Sequence, residues 1–224
     1  PSANKWPGQG KNLSYYSGSP FELLTTYLAA HDLDITDIYF NDSSQSDWII
    51  PASVVHNALG EYYILDIRPD TVFAKGHIKG AVNVNLPFVV DSAVNAVETP
   101  IVVACETGQA AAYAVTALRL SGYSGARSMK WGMSTWNGTL DIWSHHTGDA
   151  AEGHANWNGK PVAAPDTFDH PEFSVFSADS DTVLRQRVAA MLAAGPAMVS
   201  PEVVLNHPGK YHINAYWPPA AIES

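Results

Sequence analysis

The chain has a single cysteine, and the residues around it determine what that sulfur can do. Cys105 follows the apolar, β-branched run Ile101-Val-Val-Ala and precedes Gly108 and an alanine-rich stretch to Leu120. The first run predicts a buried strand, and the glycine predicts a tight loop opening into a helix. A thiol at such a junction faces the unpaired N–H groups of the first helical turn, which, with the helix dipole, favour the thiolate and lower its pKa. That places Cys105 as a nucleophile. The competing reading is a small core residue, which is what most free cysteines are.

Other candidates sit on elements that must come together with this loop. Tyr62-Tyr-Ile-Leu-Asp66-Ile-Arg68 reads as a strand with a charged end. Ligand chemistry in open α/β sheets gathers at the carboxyl ends of strands, where both Asp66 and Cys105 are expected. Asp66 and Arg68 read equally as an ion pair fixing the strand end or as part of a site. In Gly76-His77-Ile78 the imidazole suits a turn hydrogen bond better than proton transfer, since an ionised thiol needs no general base. Trp131, next to Gly132, either walls a pocket or fills core.

Four segments in order resemble the rhodanese (sulfurtransferase) family: Asp66-Ile-Arg68, Gly76-His77-Ile-x-Gly80-Ala-x-Asn83, Cys105-x-x-Gly108 and Gly132-x-x-x-Trp136. The resemblance spans about residues 50–140. It implies an α/β, rhodanese-like fold, a short parallel sheet flanked by helices on both faces, with helical N- and C-terminal extensions. It also implies that Cys105 takes the sulfane sulfur of a donor as a persulfide and passes it to a thiol or protein acceptor. The N–H groups of Glu106, Thr107, Gly108, Gln109 and Ala110 would hold the persulfide charge, with Asp66, Arg68 and Trp131 completing the substrate site and no cofactor or metal required.

The loop departs from the family pattern at one position. Many active members carry a basic side chain five residues after the cysteine, and here that residue is Ala110. Glu106, the only charged loop residue, would repel a dianion and raise the thiol pKa. Thiosulfate therefore fits less well than an organic persulfide, a polysulfide or a protein donor, unless Arg68, Arg127 or Lys130 brings a cation from outside the loop. Related phosphatase and arsenate-reductase chemistry needs a longer loop and an arginine gripping the oxyanion, which Ala111 and Ala112 do not supply. The alternative function is a rhodanese-fold binding, sulfur-carrier or regulatory module without turnover.

The 224 residues exceed one such unit of roughly 100–130 residues. The expected organisation is an N-terminal arm and helix (1–46), the catalytic domain (47–142), a connecting segment (143–180) and a C-terminal helix-strand element (181–224). Helices are predicted from Ser19-Pro20 to Ala30, opened by a capping box, and from Asp181 to Ala194, ended by Gly195-Pro196. Val54-Val-His-Asn57-Ala-Leu-Gly60-Glu-Tyr62-Tyr-Ile64 and Val203-Val-Leu-Asn206-His-Pro-Gly209-Lys-Tyr211-His-Ile213 match at a constant offset. They read as a partial second repeat or as two ordinary helix-turn-strand pieces. If the repeat is real, Ala215 and Trp217 stand where the first copy has Asp66 and Arg68, so the second copy is a docking or homodimerising element rather than a catalytic one.

A formal charge of −10 without a basic cluster argues against nucleic acid, and no apolar run is long enough to span a membrane. His145, His146 and His154 lie in a polar connection and read as surface loop residues rather than metal ligands. Trp157-Asn-Gly159 suggests a turn. The polar composition and the start at Pro1 suggest export, to a periplasm for example, with the cytoplasm as the alternative.

Overall fold

The computed structural model describes residues 19–33, 38, 48–157, 167, 169, 172, 177, 179–211 and 213. They fall into two units, one drawn from Pro1–His145 and His170–Pro196, the other from His146–Asp169 and Ala197–Ser224.

The first unit is built on a five-stranded parallel sheet: β1 (Ile49–Ile50), β2 (Tyr63–Asp66), β3 (Val82–Asn83), β4 (Ile101–Ala104) and β5 (Arg127–Met129), in the order β1-β5-β4-β2-β3. All four pairings are parallel, so both faces must be covered. Every residue of β4 is buried. The register aligns Leu65 with Val103 and Asp66 with Ala104, which brings the carboxyl ends of β2 and β4 side by side.

Period-two alternation divides the core into two layers. On one face Leu65 and Val103 pack with α1 (Pro20–Ala30), α4 (Val89–Ala93), α5 (Gln109–Leu120) and α6 (Ser180–Ala194) through Leu23, Leu24, Val89, Leu118, Val183 and Leu184. On the other, Ile64, Val102 and Ala104 pack with Ala52 and Val55 of α2 (Ala52–Asn57) and with Ile78, Met129 and Met133. The short α3 (Asp70–Phe73) follows β2. Each fully buried Val, Leu or Ile stabilises by about 1.5–3 kcal/mol.

The terminal helices have the signals their sequences carry. Ser19 accepts from the Glu22 amide at 3.2 Å, and Glu22 accepts from the Ser19 amide at 2.8 Å, completing the capping box of α1. The side chain of Asp179 caps α6 by accepting from the Thr182 amide at 3.1 Å, and Gly195 closes it with φ 68°. Tyr113 Oη on α5 donates to the Met191 carbonyl of α6 at 2.6 Å. Helix α6 belongs to the sheet unit because its apolar face is buried in the sheet's core, whereas residues after Pro196 belong to the second unit.

In the second unit α7 (Pro201–Asn206) is capped by Ser200 and followed by a 3₁₀ turn, Pro208–Lys210. Asn156 Nδ2 donates to the Leu205 carbonyl at 2.8 Å. Ala215, Trp217 and residues 158–159 of the expected turn lie outside the described residues.

Candidate active site

Cys105 leaves β4 on the face shared with Val103 and is 5 % exposed. The chain then turns through Gly108, which caps α5 with φ 90°. The Cys105 sulfur accepts from the Gly108 amide at 3.1 Å and the Ala111 amide at 3.3 Å. Burial pushes the thiol above its usual 9.0, against the opposing pull of the Ala111, Thr107, Gly108 and Ala110 amides. The expected lowering is thus corrected: the amide ring forms, but desolvation outweighs it. The ring reaches one residue further along the helix. Ala111 also takes part. The Glu106 side chain, expected to raise the thiol pKa, is exposed. Thr107 Oγ1 donates to Gln109 Oε1 at 3.2 Å on the exposed side of the loop.

A second turn braces this loop from β5. The Met133 amide donates to the Cys105 carbonyl at 2.8 Å, and the Ser134 amide to the Glu106 carbonyl at 3.1 Å. Ser134 Oγ also donates to the Glu106 carbonyl at 2.9 Å and accepts from the Trp143 amide at 3.1 Å. Approach this close requires Gly132, φ 56°, where an added Cβ would stand 2.2 Å from the Cys105 carbonyl oxygen. A Cβ on Gly108 would meet the Trp131 nitrogen at 3.1 Å. Sequence reasoning gave Ser134 no role, because only the fold shows that its hydroxyl links the two turns.

At the end of β2, Asp66 and Arg68 are 0 % and 2 % exposed. Arg68 Nε donates to Asp66 Oδ1 at 2.9 Å, and its NH2 nitrogen donates to Oδ2 at 2.7 Å and to the Gly76 carbonyl at 2.8 Å. This is the strand-end ion pair of the two alternatives, and its guanidinium is committed to it. Asn83, part of the motif but assigned no role from sequence, donates from Nδ2 to the Asp66 and Arg68 carbonyls at 2.9 and 2.8 Å. His77 Nδ1 donates to the Phe73 carbonyl at 3.0 Å and stacks on the Phe73 ring, a turn-fixing role. Arg127 pairs in register with Val102, toward the opposite end of β4 from Cys105.

Trp131 is 39 % exposed and holds a left-handed φ of 60°. Its ring lies 4.2 Å from that of Trp143, and Lys130 Nζ stands 5.7 Å from its centroid. Among the described residues no group of three or more His, Cys, Asp or Glu side chains is arranged to hold a metal, and no helix is long and apolar enough to cross a membrane.

The profile of the rhodanese-like domain family matches residues 52–139, the stretch that contains β2 to β5, the Asp66–Arg68 pair and the Cys105 loop. The chain carries a rhodanese-like domain. Similar solved structures include a rhodanese-like domain protein from Staphylococcus aureus, 26% identical over 40% of this chain and 90% of that one, TM-score 0.36. A rhodanese-like domain from Anabaena is 20% identical over 56% of this chain and 98% of its own, TM-score 0.36. A human single-domain sulfurtransferase is 22% identical over 40% and 94%, TM-score 0.32. No curated protein sequence matches the chain. The rhodanese-like core is larger than the matched stretch, because α1 and α6 lie outside residues 52–139 and still fill one face of its sheet.

Proposed function

We propose that the protein is a sulfurtransferase that carries sulfane sulfur as a persulfide on Cys105. The supporting observation is the ring of main-chain donors around the sulfur, with Gly108 and Ala111 in hydrogen-bond contact. In the first half-reaction Cys105 Sγ attacks the sulfane sulfur of the donor. A new S–S bond forms, and the donor's bond to that sulfur breaks as its leaving group departs with the electron pair. In the second, a thiol or protein acceptor attacks the outer sulfur and Cys105 leaves as the thiolate, which takes up a proton. Persulfides are more acidic than thiols, so the same amides hold the charge better after loading than before.

Burial of Cys105 and the uncharged Ala110 favour a second reading, a binding or carrier module that does not turn over. Mass spectrometry of the whole chain after exposure to thiosulfate, polysulfide or an organic persulfide separates the two. Transfer predicts a one-sulfur gain that is lost on Cys105→Ser and discharged by added thiol. No gain from any donor would sink it.

The second unit's role is proposed as docking to another copy of the chain, on the strength of Met198, Val199 and Ile213, each more than half exposed. Equal protomer number in sedimentation for the whole chain and for a version ending at Gly195 would remove this role.

A further inference from the structure

Ser134 lies in the turn after β5 and is 8 % exposed. A hydroxyl buried to that degree must satisfy its one proton and its two lone pairs within the fold. The amides of Ile142 and Trp143 donate to Ser134 Oγ at 3.2 and 3.1 Å, and Oγ donates to the Glu106 carbonyl at 2.9 Å. Both groups that donate to Oγ are main-chain N–H groups, which cannot accept, so the hydroxyl proton is directed to the Glu106 oxygen. Two incoming hydrogen bonds also polarise the hydroxyl and strengthen the one it gives. The Ser134 amide reaches the same oxygen at 3.1 Å, so Ser134 grips that carbonyl twice.

A trans peptide carries its C=O and its N–H in opposite directions. Holding the Glu106 oxygen toward Ser134 therefore turns the Thr107 N–H the other way, to the side of the sulfur, where the Thr107 amide favours the thiolate against burial. Rotated by half a turn, the same peptide would set the partial negative charge of its oxygen against the sulfur instead.

We propose that Ser134 is a positioning residue for Cys105: through the Glu106–Thr107 peptide it aims a main-chain N–H at Sγ, and the Ile142 and Trp143 amides hold it to that task. This role rests on the persulfide reading for its purpose, since a loaded, ionised sulfur depends more on each amide than the resting thiol does. The same aim acts on the unloaded thiol. The Ile142–Trp143 anchor is itself fixed by a turn in which Asp141 accepts from the Ser144 amide at 3.1 Å and from its hydroxyl at 2.5 Å.

The single cysteine makes the test direct. In the whole chain labelled with carbon-13 at the cysteine Cβ, one NMR resonance follows the titration of Cys105. Ser134→Ala is expected to move the midpoint up by about half a pH unit, an about threefold loss of thiolate below the midpoint and the range of one neutral hydrogen bond. Ser134→Thr, which keeps the hydroxyl, is expected to leave the midpoint where the unaltered chain has it. A hydroxyl that only braced the turn would lower the melting temperature and leave the midpoint in place, and that result overturns the proposal. Should Ser134→Ala fail to fold, Asp141→Ala decides. It loosens the anchor from a half-buried position and is expected to raise the midpoint by a smaller amount; an unmoved midpoint there overturns the proposal equally. Sulfur gain at Cys105 from inorganic polysulfide is followed in parallel, and Ser134→Ala is expected to slow it about threefold. Absence of any gain in the unaltered chain overturns transfer itself and leaves the aim of the Thr107 amide standing.

Discussion

Two ionisable groups lie buried at the ends of neighbouring strands, and the fold treats them in opposite ways. Asp66, closing β2, receives a dedicated cation in Arg68 and a bidentate pair. Cys105, just past β4, receives only amides, which fail to offset its burial. A carboxylate given a full counter-charge serves as a structural joint. A thiol given only partial charges is held toward its protonated form, so it must give up that proton before it can take on an atom.

The largest test of this contrast removes the cation. Arg68→Leu leaves a buried, unpaired carboxylate and is expected to destabilise the fold by about 3–5 kcal/mol in urea denaturation, with the loss partly recovered in Asp66→Asn/Arg68→Leu. If Arg68→Leu unfolds like the unaltered chain, Arg68 is not a joint.

On the cysteine side, Gly132→Ala puts a Cβ against the Cys105 carbonyl and forces alanine to φ 56°. A loss of roughly 2–4 kcal/mol is expected, together with slower sulfur loading, because the loop cannot stay where it is. Gly108→Ala, at φ 90°, should cost about 1–2 kcal/mol and reduce loading at unchanged Cys105 content.

The smallest effect is a pH slope. With the folded thiol raised above 9.0, the native state retains a proton that the unfolded state loses as pH rises past the usual value. The stability is intact below pH 9.0 and declines as pH climbs from there through the folded pKa. Cys105→Ala should flatten that part of the profile. Loading should accelerate about tenfold per pH unit from neutrality upward, following the thiolate. A plateau near neutral pH would mean that the amides win.

Much of this was legible in the residues. The apolar run into Cys105, the glycine that caps α5, the capping box at Ser19 and the Asp66–Arg68 spacing all act locally, so sequence order alone carries them. The sign of the thiol's shift was not legible, since it depends on burial beneath helices from both ends of the chain. Nor was the need for glycine at position 132, which comes from a contact with Cys105 across the fold. The two similar segments show where local information ends. Ala58 and His207 have φ, ψ of −138°, 41° and −137°, 50°, and Tyr62 and Tyr211 both have −125°, 141°. Ile64 is nonetheless 2 % exposed and Ile213 63 %. Similar residues produce similar turns, but only a neighbouring strand buries the side chains beyond them.

The helices that lie beyond the family's boundaries add one more consequence. Leu23, Leu24, Val183 and Leu184 belong to the same apolar cluster as Cys105. A fragment trimmed to residues 52–139 would therefore lose the roof over half its interior, and water reaching the sulfur would draw its acidity back toward that of an ordinary thiol. Distant segments of the chain thus set how tightly one proton is kept.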